Sequence, residues 1–344
     1  MFLYYSNFIV IYEQKISAMK NLLTRRGFIQ KTLAAGAAVT GLASFGNLAV
    51  YDPKGLPTIA FGKTGVRIPR VGMGLGSRFC SVADEDESLA ILSFALDNGL
   101  YYWDTANSYL DRSNGVVSEE RIGKILRHRR DAIFLSTKVA SRDAGEAARQ
   151  FETSLDRLQT GYVDNLMIHD VSTVEDVERI TRKGGVMDLL NNLKDKGLTR
   201  FIGFSGHAGA EAKKLLIERG NFDNVLFAMN QWGDYSESRQ ELVLPAATER
   251  GLGIMLMKVV RPKETVSGIT APELVRFALS LEGPSGLVLG MESIEVVKSN
   301  IELLRNFTPM TAAEKSYVAS VLSPFFREES LEWSDPGYRD GHWG

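Results

Sequence analysis

Cysteine is almost absent, with Cys80 the one example in 344 residues. A disulfide framework and a thiolate metal cluster are excluded with it, and a lone cysteine reads as a small buried hydrophobe rather than a nucleophile. Positive charge is not in excess either, since 40 Lys and Arg face 42 Asp and Glu for a net charge of −2. Without a basic surplus or a long run of like charge, nucleic acid is not an indicated partner. No Pro-, Gly- or Ser-rich linker divides the chain, and no short repeat period appears in it. What is present is apolar material for a large core, 44% of residues against 24% charged, so disordered, collagen-like and coiled-coil classes are excluded.

One sign of charge is missing from a long N-terminal stretch. No acid falls between Gln14 and Tyr51, and no charge of either sign between Thr32 and Val50. Residues 1–50 hold five basic residues and one acidic one, which leaves 35 basic and 41 acidic for residues 51–344. A basic segment followed by an apolar one is the layout of a targeting peptide. The junction Thr24-Arg25-Arg26-Gly27-Phe28-Ile29 resembles a twin-arginine export signal. Gly36, Gly41 and Gly46, with Thr40, Ser44 and Asn47, interrupt the apolar part, so no stable membrane span is expected. Met19 reads as the true start, which puts the arginine pair at positions 7 and 8 of the signal. We therefore expect residues 1–50 to be an extension and export signal, residues 51–344 to be one domain, the export machinery to be a partner, and the protein to be periplasmic or otherwise exported.

After Pro57, residues 58–60 and 66–68 flank a glycine-bearing turn and predict a β-hairpin. Strand-like apolar runs then follow at 70–74, 101–104, 133–138, 163–169, 200–205, 224–230, 253–258 and 286–290. Amphipathic helical stretches lie between or after them, at 84–98, 118–128, 144–158, 186–196, 208–219, 238–250, 270–281 and 293–305. Eight strand–helix units predict an α/β fold, a (β/α)8 TIM barrel with an N-terminal hairpin; a doubly wound open sheet usually has five or six strands. The tail is expected to wrap the barrel surface.

Such a barrel carries its chemistry at the C-terminal ends of its strands. The second strand ends in Trp103-Asp104-Thr105-Ala106, with Tyr109 shortly after; the third ends in Lys138, the fourth in His169 and the fifth in Ser205-Gly206-His207. A charged Asp and Lys at an inner mouth must pair to be buried there. A lysine ammonium beside a phenol favours the phenolate and lowers its pKa from about 10, which makes the hydroxyl a usable proton donor. A histidine on the next strand can orient a substrate oxygen. No side chain delivers hydride, so a cofactor is required. Taken alone, Asp104 reads equally as a helix cap, Lys138 as a surface lysine and His169 as a core histidine. Trp103 reads as a pocket wall, Asn230 as a pocket-lining substrate contact and His207 as a helix-entry residue.

These residues resemble the aldo-keto reductase family. The resemblance is carried by Phe61-Gly62-Lys63-Thr64-Gly65, Val71-Gly72-Met73-Gly74, Trp103-Asp104-Thr105-Ala106-Asn107-Ser108-Tyr109, Leu135-Ser136-Thr137-Lys138, Leu166-Met167-Ile168-His169 and Phe201-Ile202-Gly203-Phe204-Ser205, in order. It implies a catalytic tetrad of Asp104, Tyr109, Lys138 and His169, with Tyr109 the proton donor to a carbonyl that receives hydride from NADP or NAD. It also implies cofactor contacts at Gly74, Ser205, Lys258, Gly290, Ser293 and Asn300, and a small carbonyl or alcohol substrate, a sugar among the candidates. Where the family often carries Arg or Lys for the 2′-phosphate, this chain has Glu292 and Val296, which argues against NADP, with Lys298 a partial compensator. Export adds the expectation of a tightly held cofactor, because nicotinamides are regenerated in the cytoplasm. Two other classes fit the same residues: a redox-responsive binding module, and a Schiff-base lyase using Lys138.

Overall fold

The computed structural model describes residues 50–229, 239–260 and 268–322, with the backbone of His342 and Trp343. The arginine pair, Met19 and the rest of the expected export signal lie outside the described residues, as does Asn230.

Strands β1 (Thr58–Ala60) and β2 (Arg67–Pro69) form the expected hairpin, the second strand one residue later than the sequence suggests. The turn needs glycine at Gly62, where φ is 53° and a Cβ would lie 2.3 Å from the backbone nitrogen of Gly253. That close approach lets Phe61 enter the barrel from below, where its ring occupies the space a side chain at Gly253 would need. Phe61 is fully buried and meets Tyr102 and Phe134 edge-on at 5.8 and 5.7 Å. Its burial stabilises the fold by about 1.5–3 kcal/mol and closes the barrel floor.

Eight strands close the barrel in chain order: β3 (Val71–Gly74), β4 (Tyr102–Asp104), β7 (Phe134–Val139), β8 (Val163–Ile168), β9 (Thr199–Gly206), β10 (Asn224–Ala228), β11 (Gly253–Met257) and β12 (Gly286–Gly290). All neighbouring pairs are parallel, and β12 pairs with β3 to complete the ring. The intervening labels belong to a small ribbon, β5 (Leu110–Asp111) and β6 (Val116–Val117), which follows Tyr109 directly and pairs antiparallel. A further strand, β13 (His342–Trp343), joins that ribbon parallel to β5. His342 and Trp343 therefore lie beside the loop that carries Tyr109.

The helices are α1 (Ser77–Cys80), α2 (Glu85–Asp97), α3 (Ser118–Arg129), α4 (Ala144–Leu158), α5 (Val174–Thr181), α6 (Val186–Asp195), α7 (Ala210–Arg219), α8 (Leu244–Glu249), α9 (Ala271–Leu279), α10 (Ile294–Arg305) and α11 (Ala312–Leu322). Several start at side-chain caps: Asp84 accepts from the Glu87 amide at 2.8 Å, Asp143 from Glu146 at 2.9 Å, and Thr270 with Glu273 forms a capping box. The helix expected over 238–250 is present over 239–249, wound as a wider π-helix at Arg239–Val243 before α8, whose second residue is Pro245. Among the described residues no helix is long and apolar enough to cross a membrane.

The barrel interior is layered. Aromatic rings of Phe61, Tyr102, Phe134 and Phe201 fill the floor, with Phe134 stacked on Tyr102 at 5.1 Å. Above them Asn165 donates to Ser136 at 3.0 Å and exchanges amide hydrogen bonds with Asn224 at 3.0 and 2.7 Å. Outside the floor, the buried Asp164 carboxylate accepts from Tyr51 at 2.8 Å, Arg200 at 2.7 Å and the Leu135 amide at 2.9 Å, and lies 2.9 Å from Arg130. Tyr51 stacks on Tyr101 at 5.0 Å, which pins the start of the domain beneath the barrel. Burial and the Asp164 carboxylate both push the Tyr51 phenol well above its ordinary value.

Candidate active site

Side-chain alternation along β4 decides which of two adjacent residues reaches the barrel mouth. Asp104 points in, where its Oδ2 accepts from the Lys138 ammonium at 2.5 Å. Trp103 therefore points out. It is fully buried, its indole N–H donates to the Leu100 carbonyl at 2.9 Å, and it is not among the residues lining the cleft. The expectation that it walls the pocket is corrected by strand parity.

Lys138 is 1% exposed, and its ammonium donates to three oxygens: Asp104 Oδ2, the Thr105 carbonyl at 2.8 Å and the Tyr109 phenol at 3.3 Å. His169 follows β8, and its ring meets that of Tyr109 edge-on at 5.6 Å. The four residues expected from four separate stretches of sequence therefore converge. Burial pushes the Asp104 carboxyl up, while Lys138, then His169 and Ser136, oppose that shift.

Tyr109 owes its place to a heavily bonded loop. The Thr105 amide donates to Ser136 O at 2.9 Å, and the Thr105 and Ser118 hydroxyls are 2.9 Å apart. Asn107 donates from its backbone to Lys138 O at 3.1 Å and accepts from Arg157 at 2.9 Å. Behind the loop the fully buried Glu119 accepts from Thr137 at 2.7 Å, and burial pushes its carboxyl up. Ser108, which sequence reasoning passed over, lies 3.3 Å from Nδ1 of His169 and so bears on that ring's tautomer. Cys80 packs with Ala106, Tyr109 and Val116, and burial pushes its thiol up to about 12. It is a buried hydrophobe, as its solitude suggests.

A cleft of about 350 Å³ runs from Asp104 and Tyr109 to the start of α10. Of the residues singled out for a cofactor, Gly74, Lys258, Gly290 and Asn300 line it. A Cβ at Gly74 would lie 2.9 Å from the Leu289 carbonyl, and one at Gly290 would lie 2.8 Å from the Arg78 side chain, so both positions need glycine to keep the cleft walls together. Lys258 enters it from a left-handed backbone, φ 60°. Ser293 caps α10, accepting from the Val296 amide at 3.2 Å. Ser205 is buried on β9 beside Leu226, a cleft residue, and accepts from the Asp170 amide at 3.2 Å.

Two further expectations need correction. Lys298 does not compensate for Glu292; it lies over the Phe94 ring at 5.6 Å, on the far side of α10 from the cleft. The cleft cation near Glu292 is instead Arg78, from the short helix α1, at 3.5 Å. No sequence signal marked it, because a four-residue helix has no readable period. His207 does not open a helix: it follows β9, is 1% exposed, and its Nδ1 lies 3.0 Å from Asp170 Oδ1. Among the described residues no group of three or more His, Cys, Asp or Glu is placed to hold a metal ion.

The Aldo/keto reductase family model matches residues 70–262. L-Galactose dehydrogenase of Arabidopsis thaliana is 33% identical over 321 residues, covering 80% of this chain and 96% of that protein. An uncharacterized oxidoreductase of Bacillus subtilis is 28% identical over 213 residues, covering 56% of this chain and 63% of the relative's own length. Among solved structures, an aldo-keto reductase of Bacillus halodurans in its holo form superposes with a TM-score of 0.64 at 22% identity, over 77% of this chain and 96% of that one.

Proposed function

The chain belongs to the aldo/keto reductase family and is an NAD(P)-dependent oxidoreductase, and from that premise we propose that it interconverts a carbonyl and an alcohol with Tyr109 as the proton donor and acceptor. The observation that carries this reading is the Lys138 ammonium bonded at once to buried Asp104 and to the Tyr109 phenol. The cleft suits an extended nucleotide: it runs from Asp104 and Tyr109, past Gly74 and Gly290 where a side chain would not fit, to the capped start of α10. Gly74, Ser205, Lys258, Gly290, Ser293 and Asn300 would hold the cofactor there. When bound, a nicotinamide supplies hydride to the carbonyl carbon or takes it from the carbinol carbon.

The chain's own part is proton handling. In reduction the Tyr109 phenol gives its proton to the carbonyl oxygen as that oxygen gains charge, and the phenolate left behind lies beside the Lys138 ammonium. Asp104 keeps that ammonium charged in a buried setting, and solvent returns the proton to Tyr109. His169, edge-on to Tyr109, orients the same oxygen. In oxidation each transfer runs in reverse. Lys138 has its donors turned to three oxygens and offers no lone pair, which disfavours the Schiff-base alternative.

The proposal extends to three finer points. A sugar substrate oxidised at a hydroxyl is supported by the name of the 33%-identical plant relative, matched over 96% of its length. NAD is favoured over NADP, because Glu292 lines the cleft in a pair with Arg78 and a 2′-phosphate would meet its carboxylate. Export with the cofactor already bound is supported by Arg25-Arg26 and the uncharged stretch after it.

Tyr109→Phe tests the central point: turnover of aldehyde or sugar substrates should fall by at least about a hundredfold with nicotinamide affinity retained. Unchanged turnover would remove Tyr109 from the proton step. The ratio of kcat/KM with NAD to that with NADP checks the second nucleotide point, and the intact mass of native protein recovered from the periplasm checks the third.

A further inference from the structure

Asp170 stands between two halves of the site and belongs to neither. It follows His169 directly and has φ 52°, a left-handed backbone that side chains other than glycine seldom adopt and that Asp tolerates best with Asn. Each of its polar groups has work in this turn. Its amide donates to Ser205 Oγ at 3.2 Å, which leaves the Ser205 proton to be donated elsewhere. Its carboxylate Oδ1 accepts from the His207 amide at 3.3 Å and lies 3.0 Å from His207 Nδ1. Its carbonyl accepts from Arg142 at 2.8 Å, and the same guanidinium donates to the His169 carbonyl at 2.7 Å. Arg142 is held in turn by Asp176 at 2.8 Å, and its side chain is only 10% exposed.

We propose that Asp170 is a positioning residue that couples the substrate side of the site, His169, to the cofactor side, Ser205, through one left-handed turn clamped by Arg142. The inference rests on the functional reading above, in which His169 faces the reacting oxygen and Ser205 the nicotinamide. Rotating Asp170 to an ordinary right-handed or extended backbone would swing its amide away from Ser205 and carry the His169 carbonyl off Arg142. A loss at this residue therefore strikes cofactor affinity and turnover together. A residue serving only one half would change one of them.

Three proteins test this. Asp170→Gly permits the left-handed backbone but removes the anchor to His207 that holds the turn there; Asp170→Asn keeps both the backbone tolerance and an acceptor for the His207 amide. Nicotinamide Kd is read by quenching of intrinsic fluorescence, and kcat by cofactor absorbance. For the Gly variant Kd is expected to rise and kcat to fall, each by about tenfold, the weight of one charge-assisted hydrogen bond, with both restored by Asn to within about threefold. Should Asp170→Gly fail to fold, Arg142→Lys reads the same coupling, since a lysine cannot reach both carbonyls and Asp176, and the same paired change is expected. A variant that melts lower but keeps wild-type Kd and kcat overturns the proposal, as does a change in one constant alone. Wild-type protein that binds no nicotinamide overturns the functional reading and the coupling with it.

Discussion

Replacing Lys138 by methionine keeps the length of the side chain and removes its charge, and the structure assigns two separable consequences. The first concerns stability. Asp104 is 2% exposed and would be left as an uncompensated buried carboxylate; breaking a buried pair in this way costs about 3–5 kcal/mol. The second concerns rate. An ammonium 3.3 Å from the Tyr109 oxygen attracts a phenolate by about 5 kcal/mol at an effective dielectric of about 20. The Asp104 carboxylate offsets part of that attraction, so a loss of about three powers of ten in kcat is expected. Urea unfolding measures the first effect, and steady-state turnover of a carbonyl or alcohol substrate measures the second. Adding Asp104→Asn separates them: the double variant removes the stranded charge and should recover to within about 2 kcal/mol of wild-type stability, with its rate still low. A single variant as stable as wild type, or a double variant with wild-type kcat, would refute the account of the pair.

The opposite end of the barrel gives a contrasting case. Asp164→Ala leaves Arg130, Arg200 and Tyr51 without their shared acceptor and should cost about 3–5 kcal/mol, with kcat per folded molecule unchanged; a fall in kcat would show that the floor and the mouth are coupled. Cys80 is 1% exposed with its thiol pushed up to about 12, so iodoacetamide at pH 8 should label it only after denaturation, and rapid labelling of native protein would contradict its burial. Glu314 is held down to about 2, from the ordinary 4.5, by the Thr311 amide and by Arg276. Because the folded value is the lower one, its support for the start of α11 is full above about pH 4.5 and is lost as pH falls toward 2. Amide exchange at 312–316 should lose protection over that window; protection flat from pH 6 to 2 would exclude the contact.

Elements with many buried contacts were legible in the sequence, and those with few were not. All eight barrel strands lie where apolar runs predict them, because parallel strands are buried on both faces and read as continuous hydrophobic stretches. α5 was not expected: of its eight residues only Val177 and Ile180 are buried, too few to establish a period. α11 was missed for the same reason, with Val318 and Leu322 its buried residues. Of the site, Asp104, Tyr109, Lys138 and His169 stood out because polar groups at strand ends are costly in a core without a purpose. Trp103 was misread because two adjacent residues in a strand face opposite ways, and composition does not say which faces in. Arg78 and Asp170 were invisible for different reasons. Arg78 reaches the cleft from a helix of one turn. Asp170 matters for a left-handed backbone angle, which an Asp after a strand does not announce in the sequence.

The ribbon beside Tyr109 also bears on the order of assembly. His342 pairs with Leu110, a contact that spans 232 positions of the chain and rests on a strand of two residues. A link so distant in sequence and so brief in space gains nothing until the barrel has brought its ends near, so it forms last and opens first. Unfolding is then expected to begin at the edge of the loop that carries Tyr109. Mild denaturant should silence the enzyme while the barrel, read by far-ultraviolet circular dichroism, is still intact.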